Sequence, residues 1–156
     1  MKIISGGQTG VDTAALDFAI QRGLSYGGWV PKGRTNEAGL IPARYQSLFE
    51  ASSSNPNERT RLNVSSSDAT LILTDGSESP GTLYTHQVAK ELGKAVIRVV
   101  ISADTKAQQV QVRKWVATIN PTVLNIAGPR ESEASGVHAK TLAFLDGAMP
   151  SPSGEM

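Results

Sequence analysis

The sequence predicts an α/β fold in which a mainly parallel, doubly wound sheet lies between two layers of helices. Three observations carry this. Apolar runs of strand length alternate with segments whose apolar residues recur at helical spacing. The runs are near-continuous, as strands covered on both faces require. Two strand-to-helix turns are rich in glycine. Strands that alternate with helices are joined by crossovers, and crossovers make parallel neighbours.

The elements follow in order. Ile3–Ser5 reads as a short strand that ends in Gly6-Gly7-Gln8-Thr9-Gly10. A helix follows, with Thr9 as its expected N-cap and Asp12 three residues on. Val11, Ala14, Ala15, Phe18 and Ala19 share one face of it, and Gly23 closes it. Leu24–Val30 is a second strand. Pro31–Arg44 reads as a long loop, and loops of that length usually carry function or are disordered. Glu58–Ser66 reads as a short helix. Ala69–Thr74 is a continuous apolar strand, followed by the loop Asp75–Gly81. Thr82 is the expected cap of a helix with Tyr84, Val88, Ala89 and Leu92 on its apolar stripe. Ala95–Ile101 reads as a buried strand, Lys106–Ile119 as a helix, Pro121–Ala127 as a strand and Val137–Leu145 as a helix. The whole is a Rossmann-like three-layer sandwich. Residues 1–147 make one domain, and residues 148–156 read as a loose, Pro- and Ser-rich tail.

Composition narrows the function. The 156 residues include no cysteine, which excludes disulfides and thiolate metal sites and suits a reducing cytoplasm. A net charge of +1 gives no global field for nucleic acid, and aromatics at 5% leave little for base stacking. No apolar run approaches the ~20 residues of a membrane span. The chain starts at once with strand-like residues, so no signal peptide is expected. No His/Asp/Glu cluster has metal-ligand spacing, and no metal site is expected; His86 reads as a surface residue of its helix.

In a doubly wound sheet ligands bind outside the carboxyl ends of the strands where the winding reverses. The sequence predicts these strands to be Ile3–Ser5 and Ala69–Thr74. The turns that follow them, Gly6–Gly10 and Asp75–Gly81, both run into helix N-termini. Such termini offer unpaired amides and partial positive charge, a site for an anion. Basic residues that could reach it are Lys32, Arg34 and Arg44 in the long loop, and Arg59 and Arg61 before the third strand. Asp12 and Asp75 stand beside the two turns, and Thr60 and Asn63 could reach over them if the short helix packs there. Asp68 precedes its strand, which puts it at the far end of the sheet in a structural role.

Two motifs are rejected. Ser5–Gly10 is not G-x-G-x-x-G, and Tyr26–Val30 lacks the acid that a dinucleotide site needs at the end of its second strand. Gly28–Thr35 has nearly P-loop spacing, but Pro31 lies within it and no helix can follow.

The segments Ile4–Asp12, Gly27–Arg34, Glu58-Arg59-Thr60 with Asn63-Val64, Ser67–Ile72, and Gly81-Thr82 with Thr85 resemble, in this order, the molybdenum cofactor carrier family. The resemblance covers about residues 3–95. The Gly81-Thr82 element is similar to a phosphate-binding turn of lysine-decarboxylase-like nucleotide-binding proteins. The resemblance implies a homo-oligomeric carrier of molybdenum cofactor, with molybdoenzymes as conceivable partners. It implies contacts from Gly6, Gly7, Gln8, Thr9, Gly10, Lys32, Arg34, Gly81 and Thr82. The residue after the aspartate, basic in the family's motif, is Thr13 here.

The expected function is non-catalytic binding and carriage of molybdenum cofactor (molybdopterin) or another phosphorylated pterin- or nucleotide-like molecule. The dithiolene sulfurs belong to the cofactor, so a chain without cysteine can hold it. The alternative is a hydrolase-type enzyme acting on a nucleotide or N-ribosyl phosphate, with Asp12, Glu37 or Asp75 as acid or base.

Overall fold

The computed structural model describes residues 1–101 and 105–149. Strand β1 (Lys2–Ile4) leads into helix α1 (Val11–Arg22), and β2 (Ser25–Val30) into a hairpin of β3 (Thr35–Asn36) and β4 (Gly39–Leu40). Then come β5 (Leu48–Glu50), α2 (Pro56–Ser65), β6 (Ala69–Thr74), α3 (Pro80–Glu91), β7 (Ala95–Val100), α4 (Lys106–Ile119), β8 (Val123–Ala127) and α5 (Val137–Ala148). The main sheet has six strands in the order β5-β2-β1-β8-β6-β7, and every neighbouring pair is parallel. Helices α1, α4 and α5 cover one face through Phe18, Val112, Val116 and Phe144. Helices α2 and α3 cover the other through Val64, Val88 and Ala89. The α/β sandwich is the expected one.

The strand order corrects the sequence reading in one respect that matters. Strands β1 and β6 are not neighbours, because β8 lies between them and pairs with both. Two anchors hold it there. The Asp68 carboxylate accepts the N–H groups of Thr122 and Val123, each at 2.9 Å, and the Lys2 N–H donates to the Thr122 carbonyl at 2.8 Å. Asp68 thus has its structural role, at the end of the sheet away from the cleft. Strand β7, expected to be buried, is instead the sheet's edge. Only Val99 of its six residues is fully buried, and Arg98 reaches out to Glu78 at 2.9 Å. A charged residue inside an apolar run suits an edge strand.

Three local readings also change. The cap of α1 is Gly10, with φ at 81°, and Thr9 makes no capping bond. A Cβ on Gly10 would lie 2.5 Å from the Pro129 carbonyl, so the segment after β8 presses on the helix start and leaves no room for a capping side chain. The cap of α3 is Ser79 rather than Thr82: its hydroxyl accepts the Thr82 N–H at 3.2 Å, and Pro80 begins the helix. The long loop after β2 holds the β3–β4 hairpin, and β5 follows it at the sheet's other edge. Of the expected tail, Ala148 ends α5 and Met149 is buried, whereas residues 150–156 lie outside the described residues. Among the described residues no helix is long and apolar enough to cross a membrane.

Candidate functional site

The carboxyl ends of β1, β8 and β6 open into one cleft of about 500 Å³, part of it open to solvent. Its walls come from four sources. The turn after β1 and the start of α1 contribute Gly6, Gln8 and Asp12; α2 contributes Arg59, Thr60 and Asn63. The start of α3 contributes Ser79, Gly81, Thr82 and Thr85, while β8 and its following turn supply Asn125, Gly128, Arg130 and Glu133. The two glycine-rich turns therefore border a shared space, with β8 as its floor. Gly128 is forced by that floor: a Cβ there would lie 2.1 Å from the Leu73 carbonyl and 2.7 Å from the Val11 side chain.

The two turns differ in what their amides do. Around the start of α1 four amide donors are already engaged. Gln8 N–H donates to Asp12 Oδ2 at 3.2 Å, and Thr9 N–H to Gln8 Oε1 at 3.0 Å. Val11 N–H donates to the Pro129 carbonyl at 3.3 Å and Thr13 N–H to the Gln8 carbonyl at 3.0 Å. At the start of α3 the Ser79 hydroxyl and carbonyl take the Thr82 and Leu83 amides. Gly81, whose N–H belongs to the group a helix start leaves without an intrahelical acceptor, lines the cleft.

Arg59 is the principal cation of the cleft. Its Nη1 donates to the Gly6 carbonyl at 2.7 Å and its Nε to Thr60 Oγ1 at 3.3 Å. Both acceptors are neutral. Among the described residues no carboxylate stands within ion-pair distance of this partly buried guanidinium. Burial lowers its proton affinity; the Asp12 charge partly opposes this, and Arg130 adds repulsion. Arg130 pairs loosely with Glu133 at 3.6 Å on the more exposed rim. Asp12 is buried. Loss of hydration pushes its carboxyl up to about 6, against the lowering effect of Arg59 and of the Gln8 and Gly6 amides.

Of the residues singled out in the sequence, Gly6, Gln8, Asp12, Gly81 and Thr82 line the cleft. Gly7, Thr9, Gly10, Lys32, Arg34 and Asp75 lie outside its lining. The Gly7 carbonyl accepts Asn36 Nδ2 at 3.0 Å, and the Thr9 hydroxyl donates to the Glu37 carboxylate. Lys32 is exposed, and Arg34 turns back onto the carbonyls of Pro42 and Tyr45, at 3.4 and 3.2 Å. Asp75 is exposed and folds over its own turn, where the Ser77 hydroxyl and N–H hold its carboxyl below the usual range. Arg44 pairs with Asp17 at 2.8 Å, and Arg61 with Glu91 at 3.2 Å. Thr60 and Asn63 do reach the cleft, because Asn63 brackets Trp29 with bonds of 2.8 and 3.0 Å to its N–H and carbonyl. The residues the sequence reading missed, Asn125, Gly128, Arg130 and Glu133, all depend on the central place of β8. Their one signal is Gly128-Pro129 at the end of a buried strand, a turn like those after Ile3–Ser5 and Ala69–Thr74.

Comparison with known proteins agrees with this architecture. The chain matches the circularly permutated YpsA SLOG family over residues 3–149. A crystal structure at 1.45 Å resolution from Syntrophus aciditrophicus SB, named "Putative molybdenum carrier protein", is 40% identical and superposes with a TM-score of 0.91. The match covers 94% of this chain and 93% of that one. No curated protein matches.

Proposed function

We propose, for a chain that belongs to the circularly permutated YpsA SLOG family, that the cleft binds and carries molybdenum cofactor or a related phosphorylated pterin- or nucleotide-like molecule. The observation that carries this reading is Arg59. A partly buried guanidinium with only neutral acceptors, facing a cleft, is a charge awaiting its counter-ion. A phosphate supplies that charge, and its fork-shaped donor set suits phosphate oxygens. The start of α3, with Gly81 and Thr82, lies across the same space and favours anions through its amides and dipole. The 40% identical protein named as a molybdenum carrier supports the class of ligand. The donor set fits such a cargo: the cleft offers Thr60, Thr85, Asn125 and carboxylates for a polar ring, and the cofactor brings its own sulfur ligands for the metal.

The test is titration of the purified protein with the cofactor and, in parallel, with nucleoside mono- and diphosphates. Saturable binding of one of them, weakened at least about tenfold in Arg59→Gln, is expected for a charge-assisted bond. Equal affinity in the variant would refute the assignment of Arg59.

One observation favours a second reading, an enzyme acting on an N-ribosyl phosphate. Asp12, with its carboxyl raised to about 6, is poised for acid–base work near neutral pH. Asp75 and Glu37 no longer serve it, since one folds over its own turn and the other is bound to Thr9 and Ser132. Release of free base from nucleoside monophosphates, abolished in Asp12→Asn, would establish it.

A further inference from the structure

Resting on the reading of the cleft as the place of a phosphorylated ring compound, we propose that Asn125 decides which end of the ligand goes inwards: its Oδ1 accepts a hydrogen bond from an amino or lactam N–H of the ligand's heterocyclic ring. Asn125 is the middle residue of β8. Side chains alternate along a strand, and its neighbours Leu124 and Ile126 enter the core beneath α1, α4 and α5. Asn125 therefore faces the side that α2 and α3 cover, opposite Thr70 of β6. It is only 2% exposed, yet it lines the cleft.

Its two ends are treated differently. Nδ2 donates to Thr70 Oγ1 at 3.3 Å. Oδ1 receives no hydrogen bond among the described residues, and it is not sealed from solvent either. Its outlet is the cleft. Asn63 is the instructive contrast. It is equally buried and lines the same space, but both of its ends are bonded to Trp29, at 2.8 and 3.0 Å. Asn63 holds the fold, whereas Asn125 keeps half of its amide for something else. An amide oxygen so far out of water costs stability until a donor reaches it.

The chemistry of that oxygen orients the ligand. A carbonyl oxygen repels the oxygens of a phosphate and attracts an N–H. The phosphate therefore goes to Arg59 and the start of α3, and the ring goes to the floor made by β8. Other acceptors on the walls are already engaged. Asp12 holds the Gln8 N–H at 3.2 Å, and Glu133 holds the Arg130 N–H at 3.1 Å and its guanidinium at 3.6 Å. A ring with an amino–lactam edge, as in pterins and guanine, supplies the donor that Asn125 lacks.

The test is calorimetric titration with probes that differ in ring donors. Guanosine monophosphate, adenosine monophosphate and pterin-6-carboxylate carry ring N–H donors. Purine riboside monophosphate keeps ring, sugar and phosphate but has no ring N–H, and ribose 5-phosphate has no ring. Wild type should bind the best donor-bearing probe at least about tenfold more tightly than either of the last two, the range for satisfying a buried acceptor. The preference should shrink to less than about twofold in Asn125→Leu. The double variant Thr70→Val/Asn125→Leu makes the same test with both hydrogen-bond partners replaced by apolar groups of similar shape, an exchange that is nearly neutral for folding. Thermal melts confirm that the variants are folded, and the comparison of probes on wild type needs no variant. Equal binding of donor-bearing and donor-free probes overturns the proposal, as does a preference that survives in both variants. In either case, phosphate-dependent binding that Arg59→Gln weakens would leave the carrier reading intact. Failure of wild type to bind any probe overturns the role of Asn125 as well, and failure to bind the cofactor besides would overturn the carrier reading with it.

Discussion

The two glycine-bearing turns that border the cleft look alike in sequence and behave differently in the fold. The first, Gly6–Gly10, is closed. Its Gln8 and Thr9 amides bond to Asp12 and to the Gln8 side chain, the Val11 amide just beyond bonds to the Pro129 carbonyl, and a Cβ on Gly10 would lie 2.5 Å from that carbonyl. The second, Ser79–Thr82, is open. Ser79 caps the helix from its own chain, and a Cβ on Gly81 would meet nothing within 4 Å. Glycine in the first turn makes room for the protein, while glycine in the second leaves room for something else. Richness in glycine therefore does not by itself mark an anion site; where the N–H groups point and what they already hold decides it.

The largest effect that tests this contrast comes from adding side chains on the two sides. Gly128→Val puts branched carbon where even a Cβ would lie 2.1 Å from the Leu73 carbonyl and 2.7 Å from Val11. Backbone would have to move at the centre of the sheet. A loss of about 3 kcal/mol or more is expected, a fall in Tm of roughly 10 °C for a domain of this size. Gly81→Ala should do the opposite in both respects. Its backbone needs no positive φ and its surroundings are empty, so stability should hold or rise by a few tenths of a kcal/mol, as when helical glycine becomes alanine. On the proposed function ligand affinity should nevertheless fall, because the methyl group stands where that ligand would approach the amide. Thermal melts and binding isotherms on both variants measure it. A Gly81→Ala protein that binds normally would break the contrast.

A smaller effect concerns the charge inside the closed turn. The folded protein holds the Asp12 carboxyl at about 6, above the usual 3.8. Ionised Asp12 therefore costs the folded state stability above about pH 6, and the cost disappears as pH falls from there towards the unfolded value. A shift of that size corresponds to at most about 3 kcal/mol. Asp12→Asn should accordingly raise Tm by a few degrees near pH 8 and change it little near pH 4. Parallel melts across this range check the sign. Equal shifts at both ends would mean that the gain comes from packing and not from the charge.

The alternation of strands and helices was plain in the sequence, and so was the position of the first turn, because both are local: periodicity and glycine placement are written in consecutive residues. The strand order was not. Nothing within Val123–Ala127 says that it pairs with Lys2–Ile4 on one side and Ala69–Ile72 on the other. That pairing rests on long-range bonds such as those from Asp68 to Thr122 and Val123. The edge position of β7 was missed, since Ala95–Ile101 reads as a buried strand; its one signal is Arg98, inside an otherwise apolar run. The caps were half legible. Ser79 sits just before Pro80, a strong start signal, but Thr82 is chemically just as able a cap, and only the backbone geometry separates them. Lys32 and Arg34 show the limit of reading charge. Whether a basic loop residue turns towards a cleft depends on the hairpin that carries it, and Arg34 turns onto the carbonyls of its own loop instead.

The smallest effect lies in the strap that helps keep the first turn closed. Glu37, at the tip of the β3–β4 hairpin, accepts the Thr9 hydroxyl with one carboxylate oxygen, and the Ser132 N–H at 3.1 Å and the Ser132 hydroxyl besides. Its own N–H donates to Gln8 Oε1 at 3.0 Å. One exposed side chain thus joins the hairpin, the turn after β1 and the segment after β8, and the second turn has no counterpart to it among the described residues. Hydrogen bonds from Ser132 and Thr9 hold the Glu37 carboxyl below its usual range. Its contribution is therefore present above the usual glutamate value and is lost only as pH falls through the lower folded one. Because water reaches it freely, the strap should be worth less than about 1 kcal/mol. Glu37→Gln is expected to leave Tm nearly unchanged yet to speed amide exchange at Gln8, Thr9 and Ser132, since local opening costs far less than global unfolding. Mass-resolved hydrogen exchange at neutral pH reads this directly. If exchange at the first turn does not change while the hairpin loosens, the turn is closed by Asp12 and Pro129 alone, and the contrast between the two turns then rests entirely on how their own backbones are bonded.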